Sequence, residues 1–353
     1  MTPPASSVAS AAWASGLVRE VLSEYGALAL DAVREHLASR EPRRHLYDLV
    51  TDYPERGGRA LRASLCMATA RAFGAQQHDA IHTAAALEIL HNAFLVHDDV
   101  EDDSDERRGH PTIHVLYGVP IAVNVGDALA LSSLRPLFVN RFLLGPDLAF
   151  RILEEVETMA RQSIEGQAIE LGWRRDNAIA LTDEDYLHMV LKKTCVYTTI
   201  YPFRIGALIG THGRVDVDAF TRFLFFVGAA FQIQDDLLNL IGDKGAYGKE
   251  IAGDLWEGKR SLVLIRMLQL ASLEERSRAR DVLATPRQHK RAEDVAWLRA
   301  RIDAYGCIDY AQRIAHGLAG AALHEGERLL SILPDSRDKR FLQALPVWML
   351  ERA

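Results

Sequence analysis

Carboxylates crowd one short stretch of this chain. In His97-Asp98-Asp99-Val100-Glu101-Asp102 an apolar run ends in acid, and seven of the nine residues from Asp98 to Glu106 are acidic. Helical residues three or four apart share a face, so Asp98, Asp99 and Asp102 project from one region. Like charges at that spacing repel, and burying them unpaired is costly. Two solutions are open: a solvated helix end, or a bound divalent cation. Mg²⁺ suits the second, because it takes hard oxygens and is commonly held by one or two carboxylates, water and substrate phosphates. Arg107-Arg108-Gly109 follows beyond an acidic turn. Guanidinium forks beside a carboxylate–metal cluster suit a diphosphate; the plainer alternative is pairing with Asp103, Asp105 or Glu106.

A second acidic pair comes in Phe231-Gln232-Ile233-Gln234-Asp235-Asp236-Leu237-Leu238-Asn239-Leu240, again delivered by an apolar helix. Asn239 offers a neutral oxygen four residues beyond Asp235, suited to orienting metal-bound water or to weak binding itself. Lys249, Asp254, Lys259 and Arg260 follow in a glycine-containing segment that turns lysines back over the site. Further cations stand at Arg59 and Arg62 in Gly57-Gly58-Arg59-Ala60-Leu61-Arg62, three apart at a helix start, where free amides favour anions. Lys193-Thr194 interrupts an apolar-aromatic helix, where the lysine either snorkels or reaches an anion. His91 reads on its own as a core histidine, and no His/Cys cluster has zinc spacing. Two acidic assemblies with these cations point to a diphosphate clamped between metal-bearing helices.

Helical periodicity supplies the elements that must hold these groups. It predicts helices over 17–37, 60–72, 79–99, 119–134, 147–171, 182–209 and 216–240, with Asp183 and Asp216 as N-caps, Asp147 in a first turn and a kink at Pro202. Further amphipathic helices over 262–282, 290–305 and 310–331 read as outer packing, and strand-like alternation is scarce. With 353 residues, 48% hydrophobic, the chain is long enough for a large core, and no linker divides it. The expectation is one helical domain over 17–353, after a disordered tail over 1–16 that lacks signal-peptide character. A net charge of -7 argues against nucleic acid as partner. Cys66, Cys195 and Cys307 form no disulfide framework, which fits the cytoplasm, and no uninterrupted apolar run is long enough for a membrane span.

These motifs resemble those of the trans-prenyltransferase, or polyprenyl synthetase, family over nearly the whole chain after the tail. HDDVEDDSDERRGHPT is similar to its first aspartate-rich motif with the trailing arginines, and FQIQDDLLNL to its second. GGRALR, Lys193-Thr194 and YGK…GD…EGKR resemble its basic motifs. The resemblance implies an all-α isoprenoid synthase fold, a large helical bundle around a central apolar cavity, and a homodimer. It implies that Asp98, Asp99, Asp102, Asp235 and Asp236 bind three Mg²⁺ around an allylic diphosphate, helped by Arg107, Lys193, Lys249 and Lys259. Arg59, Arg62, His91 and Arg108 would hold isopentenyl diphosphate, with Thr194 and Gln232 near the reacting carbons. Arg59 replaces the usual Lys, Ala63 the common Pro, and Asn239 the third aspartate of the second motif, a form seen in geranylgeranyl diphosphate synthases.

By the same resemblance, the growing chain lies in an apolar tunnel running back from Asp98, its length limited by bulk at Leu90, Ala93 and Phe94. Ala93 leaves room and Phe94 restricts it, so fifteen or twenty carbons are expected, with twenty favoured. The alternatives are a farnesyl diphosphate synthase, a terpene cyclase and a noncatalytic prenyltransferase subunit. A cyclase has no need of the arginines for a second diphosphate.

Overall fold

Helix is the material of this protein throughout. The computed structural model describes residues 5–37, 40–242 and 252–351. Its main helices are α1 (Ala5–His36), α2 (Leu61–Ala72), α3 (Gln77–Glu101), α4 (Val119–Ser132), α5 (Leu134–Leu143), α6 (Pro146–Arg175), α7 (Asp183–Val190), α8 (Tyr201–Thr211), α9 (Thr221–Ile241), α10 (Leu262–Leu270), α11 (Leu273–Ala284), α12 (Ala292–Ala304), α13 (Cys307–Leu329) and α14 (Arg337–Glu351). The main core is shared by α1, α2, α3, α6, α8, α9, α13 and α14; a second apolar cluster fills the seam between α1, α3 and α4.

Several boundaries differ from the periodicity for local reasons. α1 begins at Ala5, inside the stretch expected as a tail, and Ala14 and Ser15 are buried. The cap of α7 is Thr182 rather than Asp183: its hydroxyl accepts from Asp185 N at 3.2 Å while Asp185 accepts from Thr182 N at 2.8 Å, a reciprocal capping box. Asp216 does not cap α9, which starts at Thr221 after a 3₁₀ turn, Asp218–Phe220. Asp147 does lie in the first turn of α6. Helix 262–282 breaks at Ser272, whose hydroxyl accepts from Glu275 N at 3.2 Å and starts α11. The expected disturbance at Pro202 takes the form of a π-helical stretch, Leu191–Ile200, immediately before it.

α13 is no outer layer. Its small residues Ala311, Ala315, Ala322 and Gly326 are buried, and the helix lies along α9. α14, which the periodicity did not anticipate, closes the bundle against α1: Tyr25 donates to Asp338 at 2.7 Å and Arg337 to Glu24 at 2.6 Å. Segment 218–241, which contains α9, is long and apolar enough by composition to cross a membrane; half of its most apolar stretch is buried in the bundle, and it carries Asp235 and Asp236. The three cysteines are buried and unpaired.

Between α3 and α4 lies a two-stranded hairpin, β1 (Glu106–Arg107) and β2 (His110–Pro111). Its two-residue turn, Arg108-Gly109, has φ of 55° and 74°, the positive pair that a type I′ turn requires. Arg107 ends the strand and Arg108 begins the turn, so that the two arginines serve different neighbours.

Candidate active site

The first acidic motif ends α3, and each of its three aspartates meets at least one cation. Asp98 accepts from Arg107 at 3.3 Å and stands 3.6 Å from Lys193 Nζ. Asp99 is fully buried; Arg107 donates to it through Nε, at 2.9 Å to Oδ1, and through a second nitrogen, and Tyr53 donates to its Oδ2 at 2.5 Å. Arg174 donates to the buried Asp102, whose other oxygen lies 2.6 Å from Lys259 Nζ. Burial alone raises the Asp102 carboxyl, but Lys259, Lys193 and Arg174 outweigh it and hold it below the usual range. Burial likewise opposes the charge on Lys259 and Lys193, and the carboxylates around them keep both above the ordinary lysine value. Arg107 therefore pairs with Asp98 and Asp99, not with the acids of the turn.

The second motif is joined to the first through Lys193 and Thr194. Lys193 reaches Asp98 and donates to Glu170 on α6, while Thr194 donates to Gln232 Oε1 at 2.8 Å. Gln232 in turn donates to Asp236 Oδ1 at 2.7 Å, and Tyr186 to Asp236 Oδ2 at 2.7 Å. Burial, reinforced by Asp235, pushes Asp236 up to about 7 against those hydrogen bonds. α6 comes close enough because residue 166 is glycine: a Cβ there would sit 2.2 Å from Lys193 N. A cavity of ≈ 220 Å³ opens between the motifs, lined by Asp102, Asn239, Asp254, Glu257 and Lys259 among others. Its lining is polar, unlike that of the apolar tunnel expected behind Asp98, whose residues it does not include.

Asn239 uses its Oδ1 to accept from Asp254 N at 3.1 Å, which anchors the short helix Gly253–Glu257 at the cavity wall. Arg260 and Lys290 hold that segment from behind. Arg260 is buried and donates to Ala178 O at 3.1 Å and Asn177 Oδ1 at 2.7 Å. Lys290, pushed down to about 8 by burial and by Arg260, donates to Trp256 O at 2.7 Å. Lys249 lies outside the described residues.

The cations assigned to a second anion form a separate group. Arg62 is buried, donates to Thr198 at 2.8 Å and lies over the Tyr197 ring at 4.1 Å. Its Nε and His91 Nδ1 are buried without a hydrogen-bond partner. Burial and then the nearby Arg62 and Arg108 hold His91 well below its ordinary value, so it stays neutral. Arg108 donates to Tyr53 O at 3.2 Å. Arg59 is exposed and precedes α2, which begins at Leu61; it does not share a helical face with Arg62. Leu90 and Phe94 belong to the main core, with Phe94 edge-on to Tyr197 at 5.7 Å, whereas Ala93 is buried in the seam with α4.

Tyr53, Gln167, Glu170, Arg174 and Tyr186 were not singled out from sequence. Gln167, Glu170 and Arg174 carry a signal nonetheless: three polar residues spaced three and four apart, one face of α6.

An all-α bundle with two facing acid clusters and a separate group of cations defines a class of enzyme acting on diphosphates. Residues 43–301 match the polyprenyl synthetase family. The short chain isoprenyl diphosphate synthase of Methanothermobacter thermautotrophicus is 29% identical over 338 residues, 95% of this chain and 98% of that one. Among solved structures, geranylgeranyl pyrophosphate synthetase from Pyrococcus horikoshii Ot3 superposes with a TM-score of 0.82 at 29% identity, covering 95% and 99% of the two chains. Geranylgeranyl pyrophosphate synthase from Corynebacterium glutamicum, complexed with isoprenyl diphosphate and magnesium, gives 0.79 at 26% identity, over 96% and 99%. The chain belongs to the polyprenyl synthetase family and is a trans-prenyltransferase.

Proposed function

We propose that the protein condenses isopentenyl diphosphate with allylic diphosphates, head to tail, and releases all-trans geranylgeranyl diphosphate. The observation that carries this reading is the bridge through Lys193 and Thr194, consecutive residues that touch the first and second acidic motifs.

Mg²⁺ fits the donor set. Asp98, Asp102 and Asp235 supply hard oxygens, but among the described residues no three His, Cys, Asp or Glu side chains are gathered to hold an ion alone. Such a site suits an ion whose shell is completed by diphosphate oxygens and water. When bound, Mg²⁺ neutralises charge on the departing diphosphate. Lys193, Lys259 and Arg107 hold that diphosphate as the allylic C–O bond breaks and its electron pair leaves with oxygen. The double bond of isopentenyl diphosphate, held by Arg62, Arg108 and His91, attacks the allylic carbon. The proton then lost from the new cation passes to the departed diphosphate. Tyr197, Phe94 and the apolar face of α3 keep water from the cation.

Twenty carbons is the reading supported by the names of similar proteins and by the small residue at position 93. A fifteen-carbon product is the second reading, favoured by the Phe94–Tyr197 contact, which closes one wall. Incubation of the pure protein with Mg²⁺, labelled isopentenyl diphosphate and dimethylallyl, geranyl or farnesyl diphosphate decides between them. The expected product has twenty carbons and disappears with EDTA. Product halting at fifteen carbons makes Phe94 the floor, and no incorporation by folded protein with any primer rejects the proposal.

The working unit in this proposal is a homodimer, joined through the outer side of α4, α5 and α6. Leu131, Phe138, Phe142, Phe150 and Ile164 are exposed there, Phe142 to 83%, more apolar side chain than a soluble monomer usually shows in one region. Sedimentation of the parent chain should give a dimer, and the double variant Phe138→Glu/Phe142→Glu a monomer at micromolar concentration. A monomeric parent chain, or a dimeric variant, overturns this assignment.

A further inference from the structure

Tyr53 links the two groups of cations: its side chain reaches Asp99, the partner of Arg107, and its carbonyl meets Arg108. It sits in a short helix, Asp52–Glu55, immediately before the Gly57-Gly58-Arg59 turn, and is 1% exposed. Its hydroxyl donates to Asp99 Oδ2 at 2.5 Å. Its own carbonyl accepts from Arg108 NH1 at 3.2 Å. Arg108 lies against the following turn, where a Cβ on Gly58 would come within 2.7 Å of the guanidinium. Arg56 covers the Tyr53 ring, 4.5 Å from its centre, and donates to Arg107 O at 3.2 Å. The ring is thus held between the hairpin and the end of α3.

A buried carboxylate has two oxygens to satisfy. Arg107 reaches both oxygens of Asp99, most closely Oδ1, and the Tyr53 hydroxyl shares Oδ2, so the carboxylate is held from two sides in one rotamer. With that rotamer held, the guanidinium fork of Arg107 is aimed by a bidentate pair and its NH2 remains beside Asp98. Without the hydroxyl, Oδ2 is left with a single, longer contact in a buried position, and Asp99 is free to turn toward other donors.

We propose that Tyr53 is a positioning residue for the allylic diphosphate: acting through Asp99, its hydroxyl fixes the direction in which Arg107 presents its donors. The proposal rests on the prenyltransferase reading above and adds a residue that touches no reacting atom. Its carbonyl contact to Arg108 belongs to the backbone and survives any side-chain change. The two substrates should therefore respond differently when only the hydroxyl is removed.

The test is Tyr53→Phe in the full chain, with steady-state kinetics for each substrate and calorimetric binding of inorganic pyrophosphate with Mg²⁺. KM for the allylic diphosphate should rise, and pyrophosphate affinity fall, by about tenfold or more, the usual effect of removing a hydrogen bond to a charged group. KM for isopentenyl diphosphate should stay within about twofold. Asp99→Asn, which keeps the shape but weakens the acceptor, should show the same pattern. The double variant should lose much less than the product of the two single effects, because both act on one unit. An unchanged allylic KM in either variant overturns the proposal. So does a loss confined to kcat and thermal stability, the mark of a purely structural role, or a double variant whose effects multiply. Failure of the parent chain to condense the substrates would instead reject the prenyltransferase reading, so the two failures are distinguishable.

Discussion

Asp98→Ala should lower turnover by about 10³-fold while leaving the unfolding transition of the protein close to that of the parent chain. The Asp98 side chain is 23% exposed and makes long contacts to Arg107, Gln167 and Lys193, at 3.3, 3.4 and 3.6 Å. Its removal leaves both cations with closer partners, Asp99 and Glu170. Little folding energy is at stake, whereas, on the proposed function, a carboxylate that would help hold Mg²⁺ beside the leaving diphosphate is lost. Asp99→Ala should behave otherwise. That side chain is 1% exposed and its loss strands a buried Arg107, a change expected to cost about 3–5 kcal/mol in denaturant unfolding in addition to any loss of turnover. Parallel assays and unfolding curves for the two variants separate the roles. Equal destabilisation by both, or an Asp98→Ala enzyme within tenfold of the parent, would show that the two aspartates are not divided as the geometry divides them.

Gly166→Ala is expected to be nearly as damaging, although residue 166 touches no substrate. The added Cβ would fall 2.2 Å from Lys193 N and 2.6 Å from its Cα, both backbone atoms of the π-helical stretch, which cannot swing aside as a side chain can. α6 and that stretch must separate, and with them the pair Glu170–Lys193 and the reach of Lys193 to Asp98. Overpacking of this kind costs about 1–3 kcal/mol. A displacement of about 1 Å in a positioned cation is enough to lose about 10²-fold in rate. The expected result is a folded protein of lowered stability and about 10²-fold lower kcat/KM. Activity within threefold of the parent would mean that Lys193 is not held to its place by this close approach.

Much of the candidate site's network is legible in the sequence. Asp98, Asp102, Arg107, Lys193, Thr194, Gln232 and Asp236 all take part in the network that joins the motifs, and α3 and α9, which carry the acidic motifs, fall close to where the periodicity puts them. Spacing was informative because a helix repeats its face every three to four residues, and one helix can present several acids only in that pattern. Spacing said less of Asp99, which shares a helix end with Asp98 yet is turned to Tyr53 and Arg107, because its neighbours come from 46 residues upstream.

What the sequence determined by itself, then, is the class of fold, the two acidic motifs and the cations needed to balance them, all properties of local periodicity and residue type. Tertiary structure alone decided the partners. Gln167, Glu170 and Arg174 face the first motif only because Gly166 lets α6 approach the π-helical stretch; Asn239 turned to the backbone at Asp254; Arg107 and Arg108 parted where the strand enters its turn. Charges in a buried site choose among partners by distance and desolvation. Those are set by how separate helices meet, and no single helix carries that information.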